Sequence, residues 1–141
     1  MSVELVPFSI QHFEILRKWF RDDPTLLKLT GTEEIEFEEP EDDNNHHFAI
    51  ILQDRVIGDI NLFVQDSVGE INILIGSKKD RGNGYASLAI KKLFDRNLAK
   101  SYTAKISSAN KASLEFFLKL GFEYEKYSKV LDEHTLIYHC P

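Results

Sequence analysis

Apolar positions recur along the chain either every second residue or every three to four, and these two periods divide it into elements. Val3 to Val6 is a short β-prone run ended by Pro7. Ser9 suits a helix N-cap, and Phe13, Leu16, Trp19 and Phe20 follow at helical spacing, a stripe that predicts core. Asp23-Pro24 ends that helix, and Leu26, Leu27 and Leu29 predict a short second one before Gly31. Phe48 to Leu52 and Val56 to Val64 read as strands around a tight turn at Gln53-Asp54-Arg55. Asp66-Ser67 turns the chain again, and Ile71, Ile73 and Ile75 share one face of a third strand, Gly69 to Ile75.

The pattern changes after Gly76. Ala86, Ala89, Ile90, Leu93, Phe94 and Leu98 repeat at the spacing of an amphipathic helix. Tyr102 to Ile106 is a strand, and Ala112 to Leu120 a second striped helix with Gly121 just past its end. Phe122 to Tyr127 and Thr135 to His139 follow as strands. No repeat, low-complexity tract or linker divides residues 1–141, so one domain is expected. Hairpins followed by a strand–helix–strand–helix unit imply an α+β fold around a mixed sheet.

Composition agrees with such a domain. At 141 residues, 43% hydrophobic and 11% aromatic, the chain supports a core without staples and is not expected to be disordered. A single cysteine, Cys140, leaves no intramolecular disulfide and fits a reducing, cytoplasmic setting. No apolar run approaches the ~20 residues needed to span a bilayer, and no basic-then-apolar leader opens the sequence, so no membrane partner is expected.

The net charge of −6 conceals two zones. Glu33 to Asp43 holds eight acids and no base, whereas Lys78 to Lys111 holds nine bases and two acids. Separated zones suit one cationic and one anionic ligand, although solvated surface explains charge alone at least as well.

The segment Lys78-Lys79-Asp80-Arg81-Gly82-Asn83-Gly84-Tyr85-Ala86 gives the basic zone a chemistry. It joins a strand to a helix, and Gly82 and Gly84 allow a tight turn with close approach to the backbone amides. The free N–H groups opening the helix then form an anion site, with Lys78, Lys79 and Arg81 beside it. The Gly-Lys-Ser/Thr of a P-loop is missing, as is the third glycine of a dinucleotide fingerprint. Taken alone, the segment reads equally well as a simple turn.

A second segment, Asn110 to Phe122, follows at a defined distance. With both, the chain resembles the GCN5-related N-acetyltransferase (GNAT) superfamily. The family's cofactor loop, Q/R-x-x-G-x-G/A, is matched by Arg81, Gly84 and Ala86. Its later motif, N-x-x-A/S-x-x-x-Y-x-K-x-G-F, is matched by Asn110, Ser113, Lys119, Gly121 and Phe122, with Phe117 in place of the tyrosine. Within the superfamily the chain is most similar to the alpha/beta-tubulin N-acetyltransferase nine group, through Leu5-Val6-Pro7, Leu29-Thr30, Gly58 to Phe63, Gly69-Glu70-Ile71 and Ala104-Lys105-Ile106. Ribosomal-protein alanine acetyltransferases and aminoglycoside 6′-acetyltransferases share much of the pattern.

The resemblance implies a mostly antiparallel sheet of about six to seven strands flanked by about four helices. It implies acetyl-CoA as donor and a primary amine as acceptor, a protein N-terminus or lysine on a tubulin-like or ribosomal partner, with transfer by direct attack. An aminoglycoside or polyamine acceptor, or a module that binds acetyl-CoA with little turnover, are the alternatives. Cofactor-binding roles are implied for Ile73, Leu74 and Ile75 along the pantetheine arm and for Arg81, Gly82, Asn83, Gly84, Tyr85 and Ala86 at the pyrophosphate. The resemblance likewise implies that Asn110, Ser113, Phe117 and Lys119 face the same ligand. An N–H from the strand at residues 73–75 would stabilise the oxyanion of acyl transfer.

The acceptor must lose a proton, and a carboxylate near the reacting centre can take it. Glu70 is the first candidate, equally readable as a partner in a cross-strand ion pair on an exposed face, and Asp59 on the neighbouring strand is the second. Phe117 cannot protonate the departing thiolate, although a thiolate of pKa ~8.5 leaves tolerably at neutral pH. His46 and His47 point to opposite faces of a strand and read as a surface pair, so no metal is expected. Cys140 reads as incidental. Nucleic acid is disfavoured because the basic zone lacks interleaved aromatics. A monomer or homodimer is expected.

Overall fold

The computed structural model describes residues 2–23, 26 and 44–141. Its elements run β1 (Glu4–Pro7), α1 (Ile10–Asp22), β2 (Asn45–Leu52), β3 (Arg55–Gln65), β4 (Val68–Ile75), a 3-10 turn (Lys78–Asp80), α2 (Tyr85–Phe94), β5 (Ser101–Ser107), α3 (Lys111–Lys119), β6 (Glu123–Ser128) and β7 (Glu133–His139). Seven strands form one sheet in the order β1-β2-β3-β4-β5-β7-β6. All neighbours are antiparallel except β4 and β5. The α+β, mostly antiparallel sheet expected from the sequence is therefore observed, with three helices among the described residues. The helix expected at Leu26 to Leu29 falls largely outside the described residues. Leu26 itself is buried with Phe13, Leu16 and Phe20.

Local chemistry explains the sharp turns. Gln53 and Asp54 between β2 and β3, and Asp66 and Ser67 between β3 and β4, all have φ between 50° and 66°. Two consecutive left-handed residues make the turn whose twist matches that of flanking strands. The helix α2 ends at Phe94, four residues before the Leu98 to which its apolar period extends. Asn97 adopts φ 54°, and that left-handed residue ends the helical path, although Leu98 still packs on the core.

The sheet carries a different layer on each face. One face presents Ile50, Ile57, Ile60, Leu62 and Ile71 to Ala89, Ile90 and Leu93 of α2, and all of these are buried. On the other face, Leu74 packs against Phe13, Leu16, Trp19 and Phe20 of α1. Gly76 has no side chain because a Cβ there would overlap the Trp19 ring. That second face also bears a polar row on β3 and β4, where Asp59 stands beside Leu74 and Asn61 beside Asn72.

The parallel pair is short. Only Val68, Gly69 and Glu70 of β4 register with Ser101, Tyr102 and Thr103 of β5. Beyond Glu70 the two strands diverge, and the backbone edge of β4 toward β5 has no strand beside it.

Candidate active site

The divergence of β4 from β5 opens a slit of about 950 Å³. Ile71 to Ile75 form one wall and Ala104 to Ser107 the other. The start of α2 closes one end, while Asn110, Ser113 and Phe117 of the α3 segment lie along the far side. A strand edge with no strand beside it, an apolar slot and a helix N-terminus thus line one cavity.

The helix N-terminus is built by the loop that the sequence singled out. Gly82 and Gly84 have φ of 76° and 83°, and Gly84 is the N-cap of α2. A Cβ built on either glycine meets nothing within 4 Å, so their surroundings are open to an incoming group. The first amides of α2, from Tyr85 onward, have no intrahelical acceptor and face an anion favourably. Asn83 lies outside the wall, and its Nδ2 donates to the carbonyls of Lys79 (3.1 Å) and Arg81 (3.2 Å), tightening the loop on itself.

Arg81 behaves differently from its expected place beside the anion. Its Nε donates to the Ile75 carbonyl at 2.9 Å and one Nη to the Gly76 carbonyl at 3.3 Å. The guanidinium ties the loop to the end of β4. One residue earlier, Asp80 is buried and gripped by both terminal nitrogens of Arg55 at 2.7 and 2.9 Å. That guanidinium holds the Asp80 carboxyl below the usual carboxylate range.

On the far side, Asn110 caps α3, its Oδ1 accepting the Ser113 N–H at 3.2 Å. Phe117 is buried, with its ring edge-on to Phe116 and Phe122 at 5.0 Å each. It therefore belongs to the core as well as to the slit wall. Lys119 lies on the same wall.

The two carboxylate candidates separate. Glu70 is absent from the wall, and its Oε1 is 2.9 Å from Lys105 Nζ. The pairing raises the Lys105 pKa. Asp59 is on the wall, 6% exposed, and register partner of Leu74. Its Oδ2 lies 2.7 Å from His47 Nε2 and accepts from Asn61 Nδ2 at 3.4 Å. The structure thus brings together thirteen of the fifteen residues singled out in the sequence and leaves Glu70 and Asn83 off the wall.

Three contributors were given no role in the sequence, although Asn61 lies in the Gly58 to Phe63 stretch. Asn61 and Asn72 line the slit as a cross-strand pair. His47 is not the surface residue expected, since its side chain is 16% exposed and its ring stacks on Phe8 at 3.7 Å. The alternation of β2 puts His47 on the face that α1 covers, and no signal in the local sequence reveals that cover. Among the described residues no group of three or more His, Cys, Asp or Glu could hold a metal ion, and no helix is long and apolar enough to cross a membrane.

Comparison with known proteins supplies the class. The family model "Acetyltransferase (GNAT) domain" matches residues 3–123. The chain belongs to this family and is an N-acetyltransferase with acetyl-CoA as donor. Among individual proteins, it is 31% identical to an N-acetyltransferase 9-like protein of Caenorhabditis briggsae, over 94% of this chain and 80% of the relative. It is 26% identical to the Homo sapiens alpha/beta-tubulin-N-acetyltransferase 9, over 96% of this chain and 79% of the relative. The aminoglycoside acetyltransferase AAC(6')-Ib, solved in complex with coenzyme A, superposes with a TM-score of 0.83. That match has 16% identity and covers 98% of this chain and 95% of that one.

Proposed function

We propose that this enzyme acetylates a primary amine of a protein, an N-terminus or a lysine, with Asp59 as the general base. The observation that carries the reading is the placement of Asp59: a buried carboxylate on the slit wall, level with Leu74 on the strand edge. The relatives at 26–31% identity over nearly the whole chain support a protein acceptor, one of them bearing tubulin in its name.

The slit fits the donor. Acetyl-CoA when bound supplies an activated acetyl group on a thiol leaving group. Backbone amides of Gly82 to Ala86 would hold its pyrophosphate, with Lys78 and Lys79 adding positive charge nearby. The open edge of Ile73, Leu74 and Ile75, where the Ile75 carbonyl already accepts from Arg81, would hydrogen-bond its amide-bearing arm in the manner of an added strand. Asn110, Ser113, Phe117 and Lys119 would border it on the α3 side.

An ammonium is not a nucleophile, so the acceptor needs a proton sink at the slit. Asp59 fills that role better than Glu70, whose carboxylate is committed to Lys105 and stands off the wall. Asn61 and Asn72 offer amide groups beside it for the acceptor's polar backbone. Phe117 excludes water from the slit and provides no acid.

Thiol release from acetyl-CoA across free-N-terminus peptides, N-blocked lysine peptides, spermine and kanamycin tests the reading. Peptide-dependent release, lost in Asp59→Asn with coenzyme A binding intact, is expected. Release with spermine or kanamycin alone would assign a small-molecule acceptor instead.

A further inference from the structure

His47 is held in a way that a solvated histidine is not. Its ring lies flat on Phe8, 3.7 Å between centroids and 11° between planes. The Phe8 N–H donates to the His47 carbonyl at 2.9 Å, which fixes the backbone beneath the ring. At the imidazole edge Nε2 meets Asp59 Oδ2 at 2.7 Å. Asn61 Nδ2 uses the same oxygen. Among the described residues no hydrogen bond is made to Oδ1, and Asp59 lines the slit.

The neighbouring titratable group is His12 on α1. Its Nδ1 accepts the Ser9 N–H at 3.0 Å, a bond that needs the lone pair of a neutral ring. Burial, and then the nearness of His47, push the His12 pKa down. With His12 neutral, the charge that faces His47 from the described elements is the Asp59 carboxylate.

We propose that His47 is a positioning residue for deprotonation of the acceptor amine, acting through Asp59. The proposal rests on Asp59 being the base. By donating Nε2–H to Oδ2, His47 fixes the carboxylate plane so that Oδ1 faces the amine. The ammonium N–H bond breaks, an O–H bond forms at Oδ1, and the electron pair left on nitrogen becomes the nucleophile. Phe8 sets the imidazole plane and Asn61 supports the same oxygen from the side.

The experiment is a double-mutant cycle of His47→Ala and Asp59→Asn, with His47→Gln as the conservative variant, whose Nε2 can still donate. A free-α-amine peptide is the acceptor, and coenzyme A binding is measured on every variant. Expected is a fall in kcat of about 10- to 100-fold for His47→Ala, with coenzyme A binding unchanged. His47→Gln should recover to within roughly threefold of native, and His47→Ala should cost nothing more in the Asp59→Asn background. Nitrogen-15 NMR of the resting protein should place the proton of neutral His47 on Nε2. Native kcat for His47→Ala beside an inactive Asp59→Asn overturns the proposal and spares the base assignment. An equal loss in both backgrounds likewise overturns it, because His47 would then act independently of Asp59. Full activity of Asp59→Asn removes the base assignment and this proposal together.

Discussion

Arg55 grips Asp80 with both terminal nitrogens, at 2.7 and 2.9 Å, across 25 residues of chain. Arg55 opens β3 and Asp80 closes the 3-10 turn before Arg81, so the pair anchors the glycine loop at 81–84 to the hairpin edge. Asp80 is buried and Arg55 half-exposed, so removing the arginine strands a desolvated carboxylate. Arg55→Ala should cost about 1–3 kcal/mol in urea unfolding and weaken acetyl-CoA binding measured by calorimetry. Arg55→Lys should recover only part of both, because an ammonium cannot reproduce the planar fork. The stabilisation has a defined sign with pH. A depressed Asp80 pKa contributes fully above the unfolded carboxylate value and is lost as pH falls through the folded value, so Arg55→Ala should flatten the acid limb.

Gly84 caps α2 at φ 83°, and a Cβ there meets no atom within 4 Å. The cost of Gly84→Ala is therefore backbone strain, about 1–2 kcal/mol, with no steric clash. Relief of that strain would turn the first amides of α2 away from the anion. Thermal melting and acetyl-CoA calorimetry should show both effects, and unchanged binding would show that the loop tolerates another path.

The sheet and the α2 and α3 segments were legible in the sequence because they rest on local periodicity and glycine placement, whereas most of the slit wall followed only from the resemblance to the GNAT superfamily. Ile71, Ile73 and Ile75 announced their strand, and Gly82 and Gly84 their turn. Pairings across the sheet were not legible, because a side chain's partner depends on which strands become neighbours. The sequence ranked Glu70 ahead of Asp59, its fellow carboxylate on the adjacent strand. Lys105 on β5 claims the first, and His47 on β2 holds the second. His47 itself read as surface because nothing in its own neighbourhood reveals that Phe8 and α1 cover it. The end of α2 was misread by four residues because an apolar period continues to Leu98 after the backbone has left the helix at Asn97.

Phe117 fills a packed aromatic cluster and lines the slit at the same time. A coenzyme A thiolate is a competent leaving group near neutral pH, so transfer without an acid at this position is chemically feasible. Phe117→Tyr should leave kcat at pH 7–8 no higher than native in a thiol-release assay. A several-fold increase would show that the missing hydroxyl limits the native enzyme. Phe117→Ala should destabilise the fold by about 3–5 kcal/mol, the usual loss for a buried aromatic.

His12 adds a second pH dependence. Its folded pKa lies below the ordinary value of 6.5, through burial and His47. Stability is therefore intact above pH ~6.5 and declines as pH falls toward the folded pKa, where protonation also breaks the Ser9 N–H contact. Denaturant titrations across that range should show the decline in the native protein and a smaller one in His12→Gln.

The most direct test is mass spectrometry of protein N-termini and lysines after incubation with isotope-labelled acetyl-CoA, using the native enzyme and Asp59→Asn side by side. The label should appear on protein amines with the native enzyme and fall to background with Asp59→Asn, while both bind coenzyme A equally. Unlabelled protein amines in the presence of an enzyme saturated with acetyl-CoA would contradict the account.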